Sequence, residues 1–230
     1  MKKLCIIPAR GGSKRLPNKN IIELHNKPLI FYSIDSCLES NLFDKIIFTS
    51  DSDMILDKVS EKYQRTNLVI EKRPEHLSHD KSKVIDTVLH YLDNNYEQTW
   101  LTLPTCPLKT PVDFLNVEKL LLPEINSVIS YTEMEFPPSL GLNIDQEGVL
   151  SDLHESKPWV NGNTRSQDHP PGFRPNGAIY ASWTKSLFEN KNFYTDKTKG
   201  YFMTRENSID IDNLIDLQFV EFLLKTKYKN

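Results

Sequence analysis

The chain has 230 residues, 38% hydrophobic and 26% charged, the composition of one well-buried domain with at most a small appendage. A formal net charge of −3 leaves no face-wide basic excess, so nucleic acid is not expected as a partner. No run approaches transmembrane length, and Leu4 to Ile7 is too short for a signal peptide, so no membrane association and a cytoplasmic location are expected.

Leu4-Cys5-Ile6-Ile7 reads as a buried first strand. It runs into a loop over residues 8–20. There Gly11-Gly12 allows a turn with inward-facing N–H groups, and Arg10, Lys14, Arg15 and Lys19 put four cations within ten residues. A donor-rich cationic loop at the carboxyl end of a first strand suits a polyphosphate, although a solvated basic loop has the same composition. The spacing fits neither GxxxxGK[ST] nor GxGxxG, so any phosphate site here is of another kind. Helical spacing of Leu29, Ile30, Ile34, Cys37 and Leu38 follows Pro28, and residues 45–51 form a compact apolar run ending in small polar residues. A helix over about 53–63, a strand at 68–70, a polar loop through 71–82, a helix over about 83–94 and a strand at 100–103 come next.

Buried strands alternating with helices predict an α/β domain with a mostly parallel sheet and crossover helices. In such sheets ligands sit beyond the carboxyl ends of the strands, which gathers the 10–20 loop, Asp51, the 73–82 loop and the 104–110 loop at one edge. After a helix near 112–122 and a strand at 127–131 the pattern changes. Residues 134–172 are rich in proline, glycine and polar side chains, with a weak alternation that predicts a small hairpin outside the main sheet. Strands at 176–181 and 201–203 follow, then an amphipathic helix over about 214–225.

Asp210 and Asp212 flank Ile211, and in an extended segment that spacing turns both carboxylates to one face. Two such carboxylates can hold a hard cation such as Mg2+, which would also neutralise a polyphosphate. The alternative is that Asp212 caps the helix that follows and Asp210 is solvated. Arg174 and Asn176 flank Pro175 before a strand, where they could bind a carboxylate or sugar hydroxyls, or tie down the insert. Arg165, inside the insert, could reach an acidic substrate or be solvated. Cys5, Cys37 and Cys106 are odd in number without CxxC spacing, as expected of reduced thiols. The six histidines show no metal-ligand spacing, and no Ser/His/Asp set supports a nucleophile.

The run Ile7-Pro8-Ala9-Arg10-Gly11-Gly12-Ser13-Lys14, followed by Asn18-Lys19-Asn20, resembles the opening signature of the acylneuraminate cytidylyltransferases, the CMP-sialic acid synthetases and their legionaminate and pseudaminate relatives. Arg73-Pro74 with Asp80, the 103–108 stretch Leu-Pro-Thr-Cys-Pro-Leu, the 174–180 stretch Arg-Pro-Asn-Gly-Ala-Ile-Tyr, and the 208–212 stretch Ser-Ile-Asp-Ile-Asp are similar to that family in the same order. The resemblance implies a Rossmann-like nucleotidyltransferase domain that transfers CMP from CTP to a nonulosonic, sialic-acid-like 2-keto sugar acid, with a dimerisation insert at about 134–172 and a homodimer. It implies that Ala9, Arg10, Gly11, Gly12, Ser13, Lys14 and Lys19 surround the triphosphate, and that Asn20, Arg73 and Ser82 lie near cytosine and ribose. Asp210 and Asp212 would carry Mg2+, and Leu103, Thr105, Arg165, Arg174, Asn176 and Tyr180 would line the sugar-acid side. Catalysis would fall to Arg10, Lys19 and the metal-bearing Asp210 and Asp212. The family's sialate-specific members have Gln where this chain has Leu103, which turns the expectation toward a deoxy, diacylamino acid such as legionaminate. The rivals are a cytidylyltransferase for the eight-carbon acid KDO, which shares much of the opening motif, and a catalytically silent nucleotide-binding protein.

Overall fold

The computed structural model describes residues 1–79 and 81–227, so Asp80 of the resemblance lies outside the described residues. The first strand, β1 (Lys3–Ala9), shows why its sequence is continuously apolar. Cys5 and Ile7 belong to one core cluster while Leu4 and Ile6 belong to another, so both faces of the strand are covered. A short ribbon of β2 (Glu23–Leu24) and β3 (Lys27–Pro28) leads into helix α1 (Leu29–Glu39), and β4 (Lys45–Ser50), α2 (Asp53–Lys62), β5 (Leu68–Lys72), α3 (Val84–His90) and β6 (Gln98–Leu101) follow. Helix α4 (Pro111–Leu120) and β7 (Ser127–Glu133) precede the insert. The chain then finishes with β10 (Phe173–Trp183), α6 (Thr184–Asn190), β11 (Thr198–Phe202) and α7 (Leu214–Lys227).

Seven strands form one sheet in the order β11-β7-β10-β6-β1-β4-β5. β10 runs antiparallel to both its neighbours, and every other pairing is parallel. The expected mostly parallel sheet is present, with this one reversed strand. Strand direction leaves no mark on an apolar run, so the reversal had no sequence signal. Helix α6, too, was not expected.

One face of the sheet carries α1, α2 and α4 around Trp100, Phe48 and Phe114; the other carries α3 and α6 through Val88 and Leu187. A third cluster joins Leu16 of the basic loop, Leu29, Leu108, Ile211 and the α7 residues Leu217, Val220 and Leu224. That cluster fastens α7 across the carboxyl edge of the sheet, beside the loops that follow β1 and β6. The insert contains the hairpin expected from its alternation, β8 (Leu142–Ile144) with β9 (Leu150–Asp152), and the single-turn helix α5 (Pro158–Asn161). Among the described residues no helix is long and apolar enough to cross a membrane.

Candidate active site

The loop after β1 is closed by one buried amide. Asn20 is 5% exposed, and its Nδ2 donates to the Arg10 carbonyl at 2.7 Å. Gly11 has no room for a side chain, since a Cβ would stand 2.7 Å from the Ser52 Cβ. Its N–H donates to Asp51 Oδ1 at 2.8 Å. That donor is therefore committed to a carboxylate, which corrects the expectation that Gly11 offers its N–H to an anion. Gly11 serves the close approach of two loops, whereas Gly12 sits in open space. Ala9 is the buried end of the strand.

A cleft of about 240 Å3 opens at this edge. It is lined by Arg10, Ser13, Lys19 and Asn20 from the first loop, Arg73 and Ser82 from beyond β5, and Leu103 and Thr105 from beyond β6. Eight residues expected at the site thus meet in one place; Lys14, exposed on the loop, does not line it. Arg73 is 8% exposed and donates through Nη2 to the Thr49 carbonyl at 2.9 Å. Burial pushes its guanidinium down from the ordinary value, and the nearby Asp51 charge works the other way. Two buried atoms beside this cleft lack a hydrogen-bond partner, the acceptor Asn20 Oδ1 and the donor Arg73 Nε. The Ser82 hydroxyl is used to hold its own loop, accepting from the His79 N–H at 3.1 Å and donating to the His76 carbonyl at 3.4 Å.

A second cleft, about 370 Å3, is lined by Asp210 with Arg174, Arg205, Glu135, Glu206, Thr132, Ile209, Asp216 and Phe219. Here too two buried atoms are unpartnered, Asp210 Oδ1 and Thr132 Oγ1. These four are the buried side-chain polar atoms without partners among the described residues, and all belong to the two clefts. Arg174 pairs with Glu135 at 3.5 Å.

Lys19 lines the first cleft, and its Nζ lies 2.9 Å from Asp212 Oδ1; Asp212 lines neither cleft and stands two residues along the chain from Asp210 of the second. Arg15 takes the other oxygen, Oδ2, at 2.7 Å. Burial tends to raise the Asp212 carboxyl, but the Lys19 hydrogen bond and the charges of Lys19 and Arg15 outweigh it and hold the group below the usual carboxylate range. The capping role is filled elsewhere. Asn213 Oδ1 accepts from the N–H groups of Ile215 and Asp216 at 2.9 and 3.1 Å, and Asp216 Oδ2 accepts from those of Asp212 and Asn213 at 2.9 and 3.0 Å. That is a capping box, so neither Asp210 nor Asp212 is needed to start α7. Residues 209–212 pair with no strand, yet Ile209 and Ile211 both pack on the third cluster, as their alternation implies.

A match to the Cytidylyltransferase family covers residues 4–106. The chain is 34% identical over 235 residues to the CMP-N,N'-diacetyllegionaminic acid synthase of Legionella pneumophila, covering 98% of this chain and 97% of that protein. It is 30% identical over 237 residues to the pseudaminic acid cytidylyltransferase of Campylobacter jejuni, covering 100% and 99%. The chain belongs to the cytidylyltransferase family. It is also 35% identical over 222 residues to an N-acylneuraminate cytidylyltransferase of Streptococcus agalactiae, but covers 94% of this chain and only 52% of that protein. The chain therefore spans about half the length of those streptococcal relatives. A CMP:2-keto-3-deoxy-manno-octonic acid synthetase complexed with CTP superposes with a TM-score of 0.69 at 15% identity, over 99% of this chain and 100% of that one, a likeness of fold alone.

The residues expected on the sugar side divide. Leu103 and Thr105 face the first cleft and Arg174 the second. Tyr180 packs with Leu103 on the second core cluster and stacks obliquely on Phe193 at 5.5 Å. Burial pushes its phenol up to about 12. Asn176 is corrected: at 2% exposure its side chain is used up inside the protein. Its Oδ1 accepts from Ser130 Oγ at 2.6 Å and the Ala178 N–H at 3.1 Å, and its Nδ2 donates to Ser208 Oγ at 2.8 Å. It braces β10, whose register against β7 shifts between Pro175 and Tyr180, against the segment before Asp210. Gly177, inside that register shift, takes φ +75°, a conformation that favours glycine. Arg165 is exposed on the insert, pairs with Asp168 at 3.6 Å and lines neither cleft. Sequence reasoning missed Thr132 and Arg205. Neither belongs to a local motif, and only the fold brings them beside Asp210.

Proposed function

We propose that this chain transfers CMP from CTP to the anomeric hydroxyl of a nonulosonic acid and releases pyrophosphate. The observation that carries the reading is the Lys19–Asp212 contact. It joins the basic loop to the carboxylate pair across 193 residues, so a polyphosphate on the loop would meet both signs of charge. The sugar hydroxyl loses its proton to solvent and its oxygen bonds to the α-phosphorus, while the bond from that phosphorus to the bridging oxygen breaks and its electron pair leaves with pyrophosphate. Arg10, Ser13, Lys14 and Lys19 would hold the phosphates, with Asn20 and Arg73 offering an unpaired acceptor and donor to the nucleoside. Their work is positioning and charge neutralisation at the leaving group.

Asp210 suits Mg2+ through a buried oxygen with no partner, and Asp212 would join it by exchanging its contact with Lys19 or Arg15 for the metal. Mg2+ commonly takes one or two carboxylates and completes its shell with water and substrate phosphate oxygens. When bound it would supply charge neutralisation at the phosphates and an acidified hydroxyl. The sugar acid would present its carboxylate to Arg174, and Leu103 favours a deoxy, diacylamino acid over N-acetylneuraminate. The insert would be the contact of a homodimer, since Ile144 and Val160 stand 69% and 76% exposed there. A cytoplasmic setting suits CTP as donor.

The test is pyrophosphate release from CTP with Mg2+ and a panel of N-acetylneuraminate, N,N'-diacetyllegionaminate, pseudaminate and KDO. Release with a nine-carbon acid is expected. Release with KDO alone, or with none of them, overturns the reading.

A further inference from the structure

We propose that Lys109 is a positioning residue for the transfer reaction, its buried ammonium clamping the 103–106 turn and, through that turn, the Asp210–Asp212 segment. The inference rests on the function proposed above and extends it to a residue outside both clefts.

Lys109 is 2% exposed. Its Nζ lies 2.7 Å from Ser33 Oγ, 2.8 Å from the Leu103 carbonyl and 2.7 Å from the Cys106 carbonyl. An ammonium has three donors and no acceptor, so these three oxygens match the protonated form one for one. With the ammonium donating to Ser33 Oγ, the Ser33 hydroxyl donates in turn to the Leu103 carbonyl at 3.3 Å, whereas a neutral amine would draw that hydroxyl proton to its lone pair. Burial pulls the ammonium down from its ordinary value, with Cys106 the largest opposing influence. Among the described residues it has no carboxylate at ion-pair distance. A buried cation held by neutral acceptors costs more than an apolar side chain of the same length would, if filling space were the only need. What the ammonium adds is the simultaneous fixing of two carbonyls three residues apart.

Those carbonyls belong to the turn that matters most for the site. Leu103 and Thr105 line the first cleft. The Thr105 carbonyl accepts from the Ile211 N–H at 2.8 Å, between the two aspartates. Cys106 Sγ donates to the Asn207 carbonyl at 3.5 Å, a second tie between the same turn and the strip leading to Asp210. On its far side the clamp is anchored to α1, where Ser33 meets Nζ and Ser36 Oγ donates to the Lys109 carbonyl at 3.0 Å. A rigid helix, a buried charge, the substrate-facing turn and the carboxylate pair thus form one connected chain.

Lys109→Met removes the donors and keeps the length; Ser33→Ala removes one acceptor and leaves the charge. In Lys109→Met, kcat should fall about 100-fold, the scale of a roughly 1 Å misplacement, with little change in KM for CTP. Ser33→Ala should change kcat in the same direction by less. Hydrogen exchange of the Ile211 amide, measured without CTP, should quicken in Lys109→Met while amides of β1 stay protected. A purely structural role would lower the melting temperature and leave kcat per folded molecule alone, and that result overturns the proposal. So does unchanged exchange at Ile211. If Lys109→Met does not fold, Ser33→Ala decides by the same two readouts. A wild-type chain inactive with every acid would overturn the functional reading, and with it Lys109's part in transfer, leaving the exchange measurement to say whether the clamp exists.

Discussion

The carboxyl edge of the sheet and the insert are both incomplete, in opposite ways. At the edge the buried atoms that lack a partner are polar: Asn20 Oδ1, Arg73 Nε, Thr132 Oγ1 and Asp210 Oδ1. In the insert the hydrogen bonds are local and made, and what lacks cover is apolar. Leu142, Ile144, Val149, Leu150, Leu153, Trp159 and Val160 all stand exposed around one small hairpin. A buried polar group without a partner costs free energy that a polar ligand can recover. An exposed apolar patch costs free energy that only another apolar surface can recover. The first deficit asks for a small charged molecule and the second for a macromolecule, so the two regions answer to different partners.

The comparison is broken most severely at the carboxylates. Asp210→Asn and Asp212→Asn should each lower Mg2+-dependent turnover by at least about 100-fold with the circular dichroism spectrum intact, because a hard cation loses a charged ligand. Near-normal turnover in both would leave Asp212 as no more than the partner of Lys19 and Arg15. Next in size is Arg10→Ala. It should cost about 100-fold in kcat and less in KM for CTP, since charge develops as pyrophosphate leaves. A raised KM with kcat preserved would mean that Arg10 binds ground state and transition state alike.

Leu103→Gln probes one of the apolar residues of the first cleft, which Leu77 and Val84 also line. Leaving a substrate polar group unpaired costs about 1–3 kcal/mol, so the ratio of kcat/KM values should move roughly 10- to 100-fold toward N-acetylneuraminate. A wild-type preference for N-acetylneuraminate in a competition of equal concentrations would remove the basis for this effect. The smallest change expected in stability comes from the insert. Ile144→Asp with Val160→Asp should convert a dimer to a monomer in sedimentation. The unfolding free energy of the monomer should stay within about 0.5 kcal/mol of wild type per site, as for exposed positions generally. A doubly substituted chain that still sediments as a dimer would put the contact elsewhere.

Much of the site was legible because it sits in local patterns. The run of Leu4 to Ile7 and its basic loop, the proline-bounded 103–108 turn and the Asp210/Asp212 spacing each declare themselves within a dozen residues, and the sheet rule collects their loops at one edge. Less legible were side chains whose role depends on burial. Asn176 looks like a ligand in sequence because an amide beside an arginine could bind a sugar. The fold encloses it among Ser130, Ala178 and Ser208.

By itself, then, the order of residues determined the α/β alternation, the hairpin in the insert, and which loops carry cation and carboxylate. These follow from apolar periodicity and turn chemistry, which act over a few residues. Tertiary structure alone decided that β10 runs backwards between β6 and β7, and that Asn213 rather than Asp212 caps α7. It alone brought Lys19 to Asp212 and buried Lys109 under the turn it holds. Strand direction, burial and pairing over a hundred residues depend on the free energy of the whole packed core, and no window of sequence contains that sum.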